Sequence, residues 1–375
     1  MIASTDLFKW ADRYAAGILA RWLGWRHFRR TFGPPFVEIA PENVRRVLVI
    51  RPGGIGDLIL LLPAVRRVRD RFPAARITLV AQKRNRAIAA MTNLFDEVLT
   101  LDEKPWTFWR RLRSGDFDVV IDTEQFHYAS AVFTLLSRAP VRIGFKIKPE
   151  RNELYTHLVD YPMDRHESEA FDHLVEPLCG PRETTIELAG LLDRAKLPRE
   201  VPGLPADAER PLVVFPYGGA RGKEWPAGRW AEIVRRLLAR DAGRVVLVGG
   251  ADARELAENV LHAVNDRRVV SLVGRLRLDE TAAVVARARL YVGCDTGVTH
   301  LALALGRRSV VLFGASDERK WGPPPGMGVG VSTRVPCRPC SIFGYVKRCR
   351  TIDCMDRIGT DQVWQAIATE LAAAS

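Results

Sequence analysis

The sequence predicts an α/β protein built as two parallel-sheet domains in tandem. Its 375 residues exceed the usual span of one domain and leave room for two cores. Short apolar runs alternate with amphipathic helical patterns, the rhythm of βαβ units. That rhythm stops in a proline-punctuated stretch (Pro177, Pro181, Pro198, Pro202, Pro205, Pro211) and then restarts. With 47% hydrophobic and 27% charged residues the composition is ordinary for a globular chain, which excludes a disordered or collagen-like one. The net charge of +12 favours anionic partners such as nucleotides, phospholipids, phosphorylated glycans or nucleic acid, without choosing among them.

Residues 1–43 read as a basic, aromatic extension. Within the first 36, six Lys and Arg stand against Asp6 and Asp12, and Leu7, Trp10, Tyr14, Ile18, Trp22 and Trp25 recur at helical spacing. The longest uncharged stretch here, 14–20, is too short to span a bilayer, and no cleavage site follows an apolar region, so neither a signal peptide nor a transmembrane helix is expected. Two readings stay open for this amphipathic helix: it lies on an anionic membrane surface, or it packs its aromatic face on the protein's own core.

The first domain, 44–190, carries apolar runs at 47–50, 77–81, 97–101 and 118–122. A linker spans 191–210. The second domain, 211–360, carries runs at 212–215, 244–249, 269–273, 290–293 and 309–314, and a last helix occupies 361–375. Two such domains are expected to place a ligand cleft between them, at the carboxyl ends of both sheets.

Chemistry concentrates at three turns. After the first strand, Arg51, Pro52, Gly53, Gly54, Ile55, Gly56 and Asp57 lead into a helix expected over 58–71. Glycines let a backbone approach a ligand, and a helix N-terminus offers free N–H groups to an anion. A dinucleotide fingerprint would need glycine at Ile59, and a Walker loop would need Gly-Lys-Ser/Thr, so NAD binding and P-loop ATP hydrolysis are disfavoured. Asp57 either caps the helix or accepts a proton from a substrate hydroxyl. In the second domain, Gly218 and Gly219 precede two cations, Arg221 and Lys223, a turn suited to phosphate rather than to solvated lysine alone. Further on, Asp295, Thr296 and Gly297 open a helix carrying His300, which either faces the same anion or is structural.

On these residues the chain resembles the ADP-heptose:lipopolysaccharide heptosyltransferases, glycosyltransferase family nine. The matching elements are Gly56-Asp57 with Leu61-Leu62-Pro63-Ala64, Lys223 before Trp225-Pro226, and Asp295-Thr296-Gly297 with His300-Leu301-Ala302, in order from about residue 44 to 363. The resemblance implies a GT-B fold, two Rossmann-like domains facing a central cleft. It also implies an inverting, metal-independent transfer from a nucleotide diphosphate sugar, ADP-heptose, to a lipid-linked anionic glycan such as the lipopolysaccharide core. Carried over by position, Asp57 is the base, in an acceptor-side loop of Arg51, Gly53, Gly54 and Gly56. Lys223, Asp295, Thr296, Gly297 and His300 hold the donor diphosphate. Such an enzyme is expected in the cytoplasm, peripheral on the inner face of the cytoplasmic membrane. The rival is a non-catalytic, membrane-associated nucleotide-sugar or glycan binder of the same fold. Nucleic acid is not expected as a partner, since no recognisable module accompanies the charge.

No cofactor is expected in catalysis. Cys337, Cys340, Cys349 and Cys354, in a Cys-rich loop over 337–354, have a spacing that permits a structural zinc, with reduced thiols or disulfides as alternatives.

Overall fold

The computed structural model describes residues 12, 16–23, 39, 41–218, 221–240, 243–341, 349 and 351–374. The chain divides into two compact units, 1–186 and 187–375. Among the described residues no helix is long and apolar enough to cross a membrane.

In the first unit, β1 (Arg46–Ile50), β2 (Arg76–Ala81), β3 (Glu97–Thr100), β4 (Val119–Asp122), β5 (Val141–Lys146) and β6 (His157–Asp160) form one parallel sheet in the order β3-β2-β1-β4-β5-β6. The central strands are unbroken β-branched and leucine runs because both of their faces are covered. In the second unit, β7 (Leu212–Phe215), β8 (Val245–Leu247), β9 (Val269–Ser271), β10 (Leu290–Cys294), β11 (Ser309–Phe313) and β12 (Gly328–Ser332) are parallel in the order β12-β11-β10-β7-β8-β9. Both sheets therefore have the same winding. The chain starts in the middle, runs to one edge, and returns to run to the other. The direction reverses between β1 and β4 and between β7 and β10, and at that point the loops leaving two adjacent strands diverge to opposite faces, opening a crevice at the carboxyl ends.

Three strands were not expected. The first is β5, where Arg142 and Gly144 interrupt the apolar run, and the others are the short edge strands β6 and β12.

Eight helices matter here: α1 (17–23), α2 (Ile55–Arg71), α3 (Pro105–Ser114), α4 (Tyr128–Leu136), α5 (Glu167–Leu174), α6 (Ala227–Arg240), α7 (Gly297–Ala304) and α8 (Thr360–Ala373). Right-handed crossovers put α3 and α4 over one face of the first sheet, where Phe108 and Leu112 pack on Leu48, Ile50, Val80 and Val120. α8 inserts Val363, Ile367 and Leu371 into the core of the second unit, which also holds Trp225 and Trp230 edge-to-face at 5.0 Å.

Of the N-terminal aromatic stripe, Leu7, Trp10, Tyr14 and Trp25 lie outside the described residues. The described part of the segment packs on the first unit. Ala20 and Leu23 meet Ala131, Val132 and Leu135 of α4, and Arg21 pairs with Glu150 at 3.1 Å. Asp12 caps α4, accepting the N–H of Tyr128 (3.2 Å) and of Ala129 (2.8 Å). Ile18, Leu19 and Trp22 face solvent.

Candidate functional site

Each sheet carries a charged cluster at its switch point. In the first unit Arg51 leaves β1 with its backbone locked, its N–H donating to Val80 O (3.0 Å) and its carbonyl accepting from the buried Asn85 side chain (2.9 Å). Its buried guanidinium turns toward the β4 loop, where Nη1 donates to Thr123 O at 2.9 Å and lies 3.7 Å from Glu124 Oε1. Nη2 reaches Asp57 Oδ1 at 3.0 Å, and the guanidinium stacks over Phe171, 5.1 Å from its centroid. Asp57 Oδ2 accepts the Gly54 N–H at 3.1 Å. The helix thus begins at Ile55, three residues before the expected start. Asp57 sits at the third helical position and reaches back to the chain before the helix, half of a capping box, rather than occupying the N-cap itself. One Asp57 oxygen caps, the other faces Arg51, and the side chain keeps 29% of its exposure.

The carboxylates lie close against the glycines of this loop. A Cβ on Gly54 would lie 2.7 Å from Asp57 Oδ2, and one on Gly53 would lie 3.1 Å from Glu124 Oε1. Gly56 is in the first turn of α2. Behind the loop, Glu167 accepts from Gln125 Nε2 (2.7 Å) and from Tyr161 OH (2.5 Å). The β4 loop is itself pinned by a buried group: Arg151 pairs with Asp122 (3.2 Å) and donates to Glu124 O, while Tyr155 OH donates to Asp122 at 2.6 Å. Burial alone would ease Arg51's proton off, but Asp57, Glu124 and Glu167 together hold its affinity well above the ordinary arginine range.

In the second unit Lys223 ends the turn after β7. Its Nζ donates to Asp295 Oδ2 at 2.6 Å, across the switch point to the loop after β10. Gly218 allows the turn to close, since a Cβ there would meet Lys223 O at 2.0 Å. Gly219 lies outside the described residues. Asp295 is buried and also accepts from Ser316 Oγ at 2.6 Å, with His300 Nε2 4.0 Å from its other oxygen. Burial would raise its pKa, yet Lys223 and His300, with the hydrogen bonds from Lys223 and Ser316, hold it below the usual carboxylate range. Thr296 is the N-cap of α7, and its side chain makes no capping bond. The helix starts at Gly297, so the first-turn N–H groups of Gly297 and Val298 open next to Lys223's partner, where an anion is favoured. His300, one turn along, is buried with its ring 6.4 Å from that of Trp321.

Sequence reasoning missed Glu124, Gln125, Tyr161, Glu167 and Ser316. The signal for the first two was the Asp-Thr-Glu run ending a strand. Of the other cations of the first unit, Arg67 is bound to Asp172 (2.7 Å) and Arg86 to Glu103 (3.0 Å), while Lys83 and Arg84 are exposed just beyond β2.

The cysteines of the 337–354 segment are close enough that burial and the neighbouring Cys340, Cys337 and Cys349 push the Cys354 thiol up. None forms a disulfide, and among the described residues no group of three or more His, Cys, Asp or Glu side chains is arranged to hold a metal ion. The segment is tied to the donor-side loop: Arg338 Nε donates to Gly314 O (2.6 Å) and Nη2 to Ser316 O (3.0 Å), and Cys340 N–H donates to Ala315 O (2.9 Å).

Two parallel-sheet units of one winding, the first presenting a carboxylate and the second a lysine beside a helix N-terminus, have the architecture of GT-B glycosyltransferases. The model of glycosyltransferase family 9 (heptosyltransferase) matches residues 105–344, and the chain belongs to that family of glycosyltransferase enzymes. It is 27% identical over 315 residues to lipopolysaccharide heptosyltransferase 1 of Pseudomonas aeruginosa, covering 79% of this chain and 86% of that protein. The fold is similar to that of the glycosyl transferase family 9 protein of Veillonella parvula (TM-score 0.73, 21% identity, 90% of this chain and 100% of that one). It is also similar to Escherichia coli heptosyltransferase WaaC with ADP-2-deoxy-2-fluoro heptose (TM-score 0.68, 21% identity, 86% and 99%).

Proposed function

We propose that the protein transfers heptose from ADP-heptose to a lipid-linked glycan of the lipopolysaccharide core, with inversion. The family supports transfer chemistry, and the names of the relatives above support the donor and acceptor. The observation that carries the mechanism is the fixed, half-exposed Asp57, held by Gly54 N–H on one oxygen and Arg51 on the other. It takes the proton of the acceptor hydroxyl as that oxygen bonds to the anomeric carbon. The bond from that carbon to the diphosphate breaks on the opposite face, and ADP leaves carrying the electron pair. Lys223 and the N–H groups opening α7 meet the charge that develops, a preorganised electrostatic contribution. A buried carboxylate cannot itself bind a diphosphate, so Asp295 acts through Lys223, orienting its ammonium, with Ser316 fixing Asp295 in turn. His300 and Thr296 complete the donor side. Exposed Lys83 and Arg84 suit an anionic acceptor. The enzyme works at the cytoplasmic face of the membrane, and the cysteine segment is structural, with no step assigned to a metal.

The test is a donor panel with purified protein, scoring nucleoside diphosphate release with and without heptose-free lipopolysaccharide precursor. Release that requires both ADP-heptose and the precursor is expected. Tight donor binding with no turnover on any pairing would mean a non-catalytic binder and overturn the reading.

A further inference from the structure

We propose that the solvent face of α3, together with that of α1, is a docking surface for an anionic lipid bilayer. In α3, Trp106, Trp109, Arg110 and Arg113 fall at i, i+3, i+4 and i+7 and so share one stripe, all of it exposed, while Phe108 and Leu112 on the other side enter the core. Trp106 is 84% exposed, the most open of the large apolar side chains described. Trp109 leans edge-on against Phe133 of α4 at 5.4 Å, which holds it rigid at the surface. On the other flank of α4, α1 presents Ile18 (67% exposed) and Trp22 (49%). Leu136 of α4 packs against the clusters under both helices.

Charge names the occupant. The acidic residues around α3 are already engaged: Glu97 by Arg111 (3.0 Å), Glu103 by Arg86 (3.0 Å), Asp102 by the Lys83 N–H (2.9 Å) and Asp116 by Arg46 (3.5 Å). Lys104, Arg110 and Arg113 enter no ion pair among the described residues, so the stripe is tryptophan and uncompensated cation. Indole rings sit at the headgroup level of a bilayer, and arginines beside them meet lipid phosphates. Each basic residue near an anionic bilayer strengthens attachment about fivefold. The surface belongs to the same unit as Asp57, the proposed base. The docking itself does not depend on which sugar is moved.

The experiment is co-sedimentation of the full chain with vesicles of phosphatidylcholine alone and with phosphatidylglycerol added. Wild type is compared with Trp106→Ser and with Arg110→Ser/Arg113→Ser. Binding to the anionic vesicles is expected to fall about tenfold or more in the double variant, and several-fold in Trp106→Ser. The melting temperature and turnover of a water-soluble acceptor fragment should be unchanged in both. Undiminished binding in either variant, or equal binding of wild type to neutral vesicles, would overturn the proposal. So would self-association without lipid that the variants abolish, which would make the face an interface between copies. Failure of the heptose assignment would leave these readouts unaffected.

Discussion

At the first switch point a buried arginine, Arg51, faces three carboxylates, whereas at the second a buried carboxylate, Asp295, faces a lysine, a hydroxyl and a histidine. The construction is otherwise the same. A cation on the loop after the first strand of each unit pairs with an acid on the loop after the fourth, because the winding brings those two loops together. What differs is the group left at the rim: in the first unit Arg51 and Glu124 are both buried and a further carboxylate, Asp57, is partly exposed, whereas in the second Asp295 is buried and Lys223 is partly exposed. With the cation inside, the rim of the first site is a carboxylate, Asp57, able to accept a proton. With the carboxylate inside, the rim of the second is an ammonium beside free helix N–H groups, able to hold an anion. One fold thus presents opposite charges at the rims of its two switch points.

The sharpest way to break this contrast is Asp57→Asn, which should lower transfer by about 10²–10⁴-fold while leaving ADP affinity by calorimetry unchanged. Turnover within threefold of wild type would remove the base from the first site. Arg51→Met should cost stability on the order of 3–5 kcal/mol in denaturant melts, since it strands carboxylates around an uncharged side chain. Arg51→Lys, which keeps the charge but not the forked donors, should fold and yet show reduced kcat with normal ADP binding. Lys223→Ala should weaken ADP by about 1.5–3 kcal/mol and also lower the melting temperature, since it leaves the buried Asp295 without its ammonium, and unaltered affinity would place the diphosphate elsewhere.

The smallest effect lies at the edge of the first cluster, where Asp12 meets His127 at 3.3 Å and the other ring nitrogen lies 3.9 Å from Glu124. The hydrogen bond to Asp12 raises the His127 pKa above the ordinary histidine range. That contribution to docking of the N-terminal segment is full below the unfolded value of about 6.5 and disappears as pH rises through the raised one. Burial would raise the Asp12 pKa, but His127 and the α4 N–H groups bring it below the usual value, so its share is lost only in acid. Protection of α1 from hydrogen exchange should therefore weaken above neutrality, with donor binding unmoved.

The central strands were legible in the sequence because a strand covered on both faces must be continuously apolar, as in residues 46–50 and 212–215. β12 was not. Its Gly-Val-Gly-Val-Ser run looks like a loop, and Gly328 is glycine because its φ is +142° and a Cβ would strike Ser309 O at 2.0 Å. The same division holds for the sites. Asp57, Lys223 and Asp295 stand in glycine turns, which announce themselves locally. Glu124, Glu167 and Tyr161 acquire meaning only when the strand order sets β4 beside β1 and packs α5 against Arg51, and no local pattern records that order. The start of α2 was misread because an aspartate that reaches back from the third helical position resembles one that caps from outside.

Arg338, placed between Cys337 and Cys340, grips the carbonyl of the residue whose hydroxyl steadies Asp295. Order in the cysteine segment and occupancy at Lys223 therefore draw on one shared set of bonds, and linkage makes their effects on each other equal in both directions. If donor binds at Lys223 as proposed, the rate at which the exposed Cys337 reacts with a soluble alkylating reagent should change on adding ADP, and an unchanged rate would separate the two.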